Sequence, residues 1–147
     1  MSTAARQTGC IFCHALSEAD PAISLIVYRG KENFVILNRY PYNNGHVMIA
    51  PYEHTSNPAE VRPEVLDEMM RLSQRVLKAL REIYNPDGFN LGMNLGRSAG
   101  AGIEEHYHLH VLPRWNGDTS FMSTVADTRV IPEDFTTTLA KLAPYFS

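Results

Sequence analysis

The feature that most constrains this chain is a run, between positions 105 and 114, in which three histidines alternate with apolar or aromatic residues. Side chains two apart in a β-strand point to the same face. The alternation therefore predicts a strand with three imidazoles in one row, each about 7 Å from the next: His106, His108 and His110. The intervening residues, which would face the core, are Tyr107, Leu109 and Val111. Because each imidazole carries two nitrogens that need partners, such a row is predicted to hold a metal ion, a phosphate group or both.

The bulk composition indicates a folded globular protein. The chain has 147 residues, of which 44% are hydrophobic, and a single domain over residues 1–147 is expected. The formal net charge of −3 disfavours a general nucleic-acid binder, which would carry a basic stripe. No apolar run approaches the roughly 20 residues that cross a bilayer, and residues 1–7 lack the apolar segment of a signal peptide. A cytoplasmic protein without membrane partners is therefore expected.

Periodicity along the chain predicts an α+β fold. Apolar residues at spacings of three and four predict one long amphipathic helix, which begins at Pro63 and ends at Tyr84. Short β-branched and apolar runs bounded by turn residues predict the remaining elements: strands at 23–29, 33–38, 46–50 and 89–95, the histidine strand, and a short C-terminal helix from Pro132 to about Tyr145. The segment from Asn116 to Pro132 is expected to be irregular. These elements form an antiparallel sheet of about five strands with two helices.

The two cysteines, Cys10 and Cys13, form a Cys-x-x-Cys pair. In a secreted protein this pair could be a disulfide, whereas in the cytosol it indicates half of a zinc site or a redox dithiol. The redox interpretation requires a thioredoxin-like βαβ context, and none follows in the sequence. The histidines available elsewhere in the chain favour the metal site.

Two motifs together resemble the histidine triad (HIT) superfamily of nucleotide hydrolases and transferases. The segment from His106 to Leu112 matches the triad signature, and Asn38 followed by 45–49 (Gly-His-Val-Met-Ile) is similar to an earlier block of the family. The resemblance extends over residues 10–122, with the blocks in the same order. It implies the α+β fold expected from the periodicity.

The resemblance also implies catalytic roles. His108, the middle histidine, would attack the α-phosphate of a nucleotide and form a covalent nucleotidyl-imidazole. Neutral imidazole suits this role because it is nucleophilic near neutral pH. His110 and His46 would donate hydrogen bonds to the phosphate oxygens, where negative charge develops.

A second group of residues is expected to bind the nucleotide. Glycines in the loop 96–102 would let backbone N–H groups approach an anion, although an ordinary flexible connector is the alternative. The resemblance implies that Asn38 holds the ribose hydroxyls and that Asn94 helps to bind phosphate. The nucleotide-binding residues expected in total are Asn38, Asn94, Ser98, Gly100, Ala101 and Gly102. An apolar slot for the base could be lined by Ile11, Phe12 and Leu37.

A zinc-containing bacterial branch of the superfamily, similar to diadenosine tetraphosphate phosphorylases and hydrolases, has Cys-x-x-Cys near its start. Carried over to this chain, the resemblance implies four ligands: Cys10, Cys13, His54 and His106. Two thiolates and two imidazoles suit tetrahedral Zn²⁺, and the filled shell implies a structural cofactor. Zinc would then tie the N-terminal segment to the histidine strand. His14 matches no family position and is expected to be exposed to solvent.

The leading hypothesis is therefore a hydrolase or nucleotidyltransferase that cleaves a purine nucleotide or dinucleoside polyphosphate, with water or phosphate as acceptor. A nucleoside phosphoramidase is less favoured, because Ile103 occupies a position where phosphoramidase-type members have serine. The remaining alternatives are a non-enzymatic nucleotide-binding or sensor protein, and a protein that binds metal through all of its histidines. The resemblance also implies a homodimer.

Overall fold

A five-stranded antiparallel sheet forms the centre of the computed structural model, which describes residues 9–101, 105–118 and 133–147. The strands are β1 (Ile26–Arg29), β2 (Asn33–Leu37), β3 (Val47–Pro51), β4 (Gly88–Gly92) and β5 (Leu109–Arg114). Their order across the sheet is β1-β2-β3-β5-β4. The expected α+β fold is confirmed. The expectations for Gly102, Ile103 and most of the irregular segment after Asn116 lie outside the described residues.

The first expected strand is shorter at its beginning than the periodicity suggested. Ile23 lies in a short helix, α2 (Pro21–Ser24), instead of in β1. The side chain of Asp20 accepts a hydrogen bond from the backbone N–H of Ala22, and Pro21 occupies the first turn, which together are a helix-start signal. Leu25 ends α2 in the left-handed conformation, with φ at 67°, and the strand begins only after it.

The long helix, α3 (Pro63–Tyr84), has the bounds that its periodicity predicted. Proline stands in its first turn, and Asn85 ends it with a left-handed φ of 48°. Its buried stripe packs on the face of the sheet that carries Val35, Ile49 and Val111, all of which are fully buried. This helix therefore leaves the opposite face of the sheet available for the histidines.

The N-terminal helix, α1 (Ile11–Leu16), lies against that opposite face. Its Phe12 ring packs edge-on against Phe34 of β2, with centroids 6.2 Å apart. Because α1 and α3 cover the two faces, β2 and β3 are buried along their whole length. This sandwich accounts for nearly continuous apolar runs in the two strands.

The histidine strand starts later than expected. Ladder pairing begins at Leu109, so His106 and His108 precede β5. The N–H of Tyr107 donates to the carbonyl of Thr55, 2.9 Å away, instead of to a neighbouring strand. Tyr107 and Leu109 are buried as expected, but His106 and His108 are buried as well, so burial does not alternate along this segment.

The C-terminal segment folds as expected into a short helix, α4 (Phe135–Leu142), continued by a 3-10 turn over Ala143–Phe146. The side chain of Asp134 caps α4 by accepting from the N–H of Thr137. Two further 3-10 turns span Pro58–Glu60 and Arg97–Ala99. Among the residues described, none of the helices combines the length and the apolar character needed to cross a membrane.

Candidate active site and metal centre

Four aromatic rings follow one another across the sheet face opposite α3. The ring centroids are 4.8 Å apart between Phe12 and His108, 4.9 Å between His108 and His110, and 5.1 Å between His110 and His46. We refer to Phe12, His108, His110 and His46 as the ring row. It brings together side chains from α1, from the segment before β5, from β5 itself and from the residue before β3. The three expected catalytic histidines are thus adjacent.

The tautomer of His108 follows from its hydrogen bond. Its Nδ1 lies 3.0 Å from the backbone carbonyl oxygen of His106. A carbonyl oxygen can only accept, so Nδ1–H is the donor, and in the neutral ring Nε2 carries a lone pair. Burial lowers the pKa of His108, which is 8% exposed, and therefore favours this neutral form. Nε2 of His108 therefore has the unprotonated lone pair that a nucleophile requires.

The tautomers of His46 and His110 follow from a chain of hydrogen bonds. The backbone N–H of Tyr42 donates to Nδ1 of His46 over 3.3 Å, which leaves the ring hydrogen of neutral His46 on Nε2. That Nε2–H then donates to Nδ1 of His110, 2.9 Å away. Consequently the hydrogen of His110 is on its own Nε2, where it can donate to an anion beside His108.

Burial keeps these two rings uncharged. Desolvation, together with smaller effects of the neighbouring His110 and His108, lowers the pKa of His46 to about 4. Desolvation, with a smaller effect of His108, also lowers the pKa of His110 to about 4. At neutral pH the site therefore offers one lone pair and one N–H donor from neutral rings, instead of a cluster of imidazolium ions.

Asn38 lies beside His46. Its Nδ2 is 3.3 Å from Nε2 and 3.4 Å from Nδ1 of the His46 ring, and its Oδ1 accepts the backbone N–H of Tyr40 over 2.9 Å. The side chain is partly buried at the end of β2. This position places the Asn38 amide next to the ring row, at its His46 end.

The glycine-rich loop closes on itself. The N–H of Gly100 donates to the carbonyl of Arg97 over 2.9 Å, and the N–H of Ala101 donates to the carbonyl of Gly96 over 3.2 Å. Gly96 and Gly100 have left-handed φ values of 84° and 91°, which favour glycine. The loop side chains of Asn94 and Ser98 are exposed. In this conformation two N–H groups expected to face an anion are used within the loop.

A second cluster lies at the other end of the histidine segment. Each of its four residues offers one ligand atom, and these atoms lie within 4.8 Å of one another: Cys10, Cys13, His54 and His106. The sulfur–nitrogen distances are 3.3 Å from Cys10 to His106, 3.2 Å from Cys13 to His54 and 3.8 Å from Cys13 to His106. A tetrahedral ion with bonds of about 2.3 Å to sulfur and 2.0 Å to nitrogen separates these atoms by about 3.5 Å. The expected ligands thus form a group that could bind a metal ion.

Hydrogen bonds on the far side of both imidazoles favour metal binding. Nε2–H of His106 donates to the carbonyl of Pro51 over 2.8 Å, and Nε2 of His54 lies 3.3 Å from a carboxylate oxygen of Glu105. Each ring therefore presents an unprotonated Nδ1 to the cysteine sulfurs. The start of α1 places the thiols, because Cys10 is its N-cap and accepts the N–H of Cys13.

His106 connects the metal centre to the ring row. Its Nδ1 faces Cys10, while its backbone carbonyl accepts the hydrogen bond of His108. Among the described residues, His106 is the one triad histidine in the metal-ligand group. That placement argues against a site in which all histidines bind metal.

A cavity of about 410 Å³ opens on the same sheet face as the ring row. Ile36, Met48 and His110 are directly paired across β2, β3 and β5, so their side chains share that face. The lining includes Cys10, Ile11, Ala15, Leu25, Ile36, Leu37, Arg39 and Met48. Ile11 and Leu37 thus line an apolar slot as expected.

Phe12 differs from the expectation. Its ring is 0% exposed and packs between Phe34 and the rings of His106 and His108, so it supports the histidines from behind. The helical geometry of α1 explains the difference, because Ile11 and Phe12 point to different sides of the helix. His14 is exposed, as expected, at the rim of the cavity.

Two contributors were not found from the sequence. Tyr42, whose N–H orients His46, lies between the strands predicted at 33–38 and 46–50, in a stretch to which the sequence assigned no role. Glu105, which holds His54, could have been recognised as a carboxylate adjacent to an expected metal ligand. The contact of Glu105 with His54 joins residues that only the fold brings together, whereas the contact of Tyr42 with His46 forms within one turn.

Comparisons with known proteins agree with this geometry. The family model described as HIT domain matches residues 21–117. A protein of Mycobacterium tuberculosis named AP-4-A phosphorylase is 41% identical over 109 residues, which are 74% of this chain and 56% of that protein. The chain thus spans just over half the length of that curated relative. An uncharacterized HIT-like protein of the same species is 35% identical over 109 residues, covering 74% of each chain.

Among solved structures, a zinc-bound histidine triad family protein from Mycobacterium smegmatis superposes with a TM-score of 0.73. It is 29% identical in sequence, and the alignment covers 95% of this chain and 94% of that one. A HIT family member from Bacillus subtilis has a TM-score of 0.67 at 26% identity, with 95% and 98% covered.

Proposed function

Because the chain belongs to the HIT domain family, we propose that it cleaves a phosphoanhydride of dinucleoside polyphosphates, as a hydrolase or nucleotidyltransferase. The observation that carries this proposal is the lone pair on Nε2 of His108, which is adjacent to the N–H donor of His110. The similarity to a protein named AP-4-A phosphorylase supports the substrate class. The cavity volume of about 410 Å³ is ample for one nucleoside.

The proposed reaction has two steps at the α-phosphorus. In the first, Nε2 of His108 forms a P–N bond while the bridging P–O bond breaks, and the leaving nucleotide keeps the electron pair. His108 retains its Nδ1–H, so the adduct is cationic on the imidazole and is stabilised by the His106 carbonyl. In the second, water or inorganic phosphate attacks phosphorus, loses its proton to solvent, and the P–N bond returns its electrons to His108.

Neighbouring groups have binding roles in this proposal. Nε2–H of His110, oriented by His46, donates to the phosphate oxygens as charge develops on them. Asn38 binds the ribose. The glycine-rich loop completes the phosphate site once the hydrogen bonds within the loop open. Its contributors, with the preceding asparagine, are Asn94, Ser98, Gly100, Ala101 and Gly102.

The metal in this proposal is a structural zinc ion held by Cys10, Cys13, His54 and His106. Two thiolates and two imidazoles with tetrahedral spacing match the preference of Zn²⁺, and four protein ligands leave no open position. Bound zinc supplies rigidity and takes no part in bond making. The chain's own contribution is the His106 carbonyl, which holds the nucleophile in one tautomer.

Assembly and location complete the proposal. Met70 and Leu66 on α3 and Leu91 on β4 are large apolar side chains exposed to solvent, which supports a homodimer formed through these surfaces. Light scattering that gives the mass of one chain would contradict the dimer.

The thiols must stay reduced to bind zinc, which supports a cytoplasmic location.

The decisive experiment is incubation of the purified chain with diadenosine tetraphosphate, with and without phosphate. We expect nucleotide products, and mass spectrometry of rapidly quenched samples should find a nucleotidyl group on His108. A His108→Asn variant should lose both while it keeps its zinc content and circular dichroism. Full activity in that variant would show that His108 is not the nucleophile. Tight binding without turnover would instead identify a nucleotide-binding protein.

A further inference from the structure

The ring row continues beyond His46 to an exposed tyrosine. The Tyr42 ring lies nearly parallel to the His46 ring, with an interplanar angle of 18° and centroids 5.9 Å apart. Its side chain is nevertheless 70% exposed. One face of an aromatic ring is therefore held against the catalytic histidines, while much of the ring is open to solvent.

The backbone of this tyrosine is anchored independently of its side chain. The N–H of Tyr42 donates to Nδ1 of His46 over 3.3 Å. Pro41 precedes it and restricts its own φ, which reduces the freedom of the segment. A ring that is exposed but pre-positioned loses little conformational entropy when a ligand stacks on it.

The cavity and Tyr42 are separate features of the site. The cavity that would take the first nucleoside is lined by Ile11, Leu37 and Met48 among others, and Tyr42 is not part of that lining. His108 and His110 are in the middle of the ring row, where the reacting phosphate would lie. Tyr42 is at the far end, next to His46. A second nucleoside, joined through the polyphosphate to the reacting phosphate, has to lie outside the cavity, and Tyr42 offers it an exposed ring beside the ring row.

We propose that Tyr42 is the stacking platform for the second nucleobase of a dinucleoside polyphosphate, and so selects dinucleotides over mononucleoside polyphosphates. This inference rests on the proposed function, because it takes the first nucleoside to occupy the cavity. Aromatic rings stack on any nucleobase, so the platform favours a second nucleoside without selecting its identity. It also explains an exposed tyrosine held beside a buried catalytic group.

The test compares diadenosine tetraphosphate with adenosine 5′-tetraphosphate, which has the same number of phosphates and one nucleoside fewer. Dissociation constants are measured by calorimetry in a His108→Asn background, so that binding is observed without turnover. We expect the dinucleotide to bind about 5- to 100-fold more tightly, the range that stacking of one base provides. Tyr42→Leu should remove most of this difference, and Tyr42→Phe should retain it. KM values of the active protein should change in the same way, with a smaller effect on kcat.

Tyr40→Leu is the matched control. Tyr40 lies in the same turn and is more exposed, at 84%, so its loss should leave the preference for the dinucleotide intact. Equal effects of the Tyr40 and Tyr42 variants would overturn the inference, as would an altered oligomeric mass of Tyr42→Leu. If the active chain cleaves the dinucleotide but binds both probes equally, the inference fails while the proposed function stands. If the chain binds the dinucleotide more tightly than the mononucleotide but the active chain cleaves neither probe, the proposed function fails while the role of Tyr42 stands.

Discussion

Replacement of Glu105 by alanine should weaken zinc binding through His54. The carboxylate accepts from Nε2–H of His54 at 3.3 Å, on the side of the ring opposite the cysteine sulfurs. Carboxylates in this position fix the tautomer and raise the basicity of the ligating nitrogen. We therefore expect Glu105→Ala to lower the affinity for zinc directly, whereas any loss of catalysis would follow from that loss of zinc.

The magnitude depends on how well solvent screens the pair. The His54 ring is neutral as a metal ligand, so the contact is a hydrogen bond to a charged acceptor, which is worth about 1.5–3 kcal/mol. The Glu105 side chain is 59% exposed, although that of His54 is only 10% exposed. Solvent at the carboxylate weakens this bond toward the roughly 0.2–1 kcal/mol measured for exposed charged pairs. We therefore expect about a 5-fold loss of zinc affinity in Glu105→Ala.

The assay is competition for zinc between the full chain and a chromophoric chelator at pH 7.5. Glu105→Gln keeps a hydrogen-bond acceptor without the charge and should lose less affinity than the alanine variant. Glu53→Ala is the control, because Glu53 is an exposed carboxylate adjacent to His54 in sequence. Unchanged affinity in Glu105→Ala, or an equal loss in the Glu53 variant, would refute the role of the Glu105 hydrogen bond.

Three further predictions follow from the ring row and the metal centre. Phe12→Ala should lower the free energy of unfolding by about 3–5 kcal/mol in chemical denaturation, because a fully buried ring is removed, and should also lower kcat. In NMR titrations, His46 and His110 should stay neutral until the pH approaches 4. Because unfolded histidine titrates near 6.5, their contribution to stability is complete above about pH 6.5 and is lost as the pH falls toward 4. Removal of zinc by a chelator should lower both the thermal midpoint and turnover, because His106 belongs to the proposed ligand group and its carbonyl also orients His108.

Each of these has an outcome that contradicts it. A Phe12→Ala protein as stable as the parent would mean that the ring row is not packed as described. A His46 resonance that titrates near pH 6.5 would contradict a buried, neutral ring. If the metal-free protein keeps its thermal midpoint and its full turnover, the metal centre does not support the orientation of His108.

The sequence by itself determined the elements whose signals are local. Helix α3 has the predicted bounds because its apolar spacing, its N-terminal Pro63 and the Asn85-Pro86 stop all act within a few residues. Tyr107, Leu109 and Val111 are buried as their spacing predicted. His106 and His108 are buried as well, because α1 covers the face on which they lie. The Cys-x-x-Cys spacing likewise identified two of the ligand-group members through the local geometry of the first turn of α1.

Only the tertiary structure decided how the histidines are used. His46 and His110 are 64 positions apart, and the hydrogen bond between them sets the tautomers of both rings. His106 and His108 lie outside the ladder, since Tyr107 bonds to Thr55 and His106 turns toward the cysteines. Such roles depend on which hydrogen-bond partner the fold brings to each ring nitrogen, and a one-dimensional pattern does not contain that information.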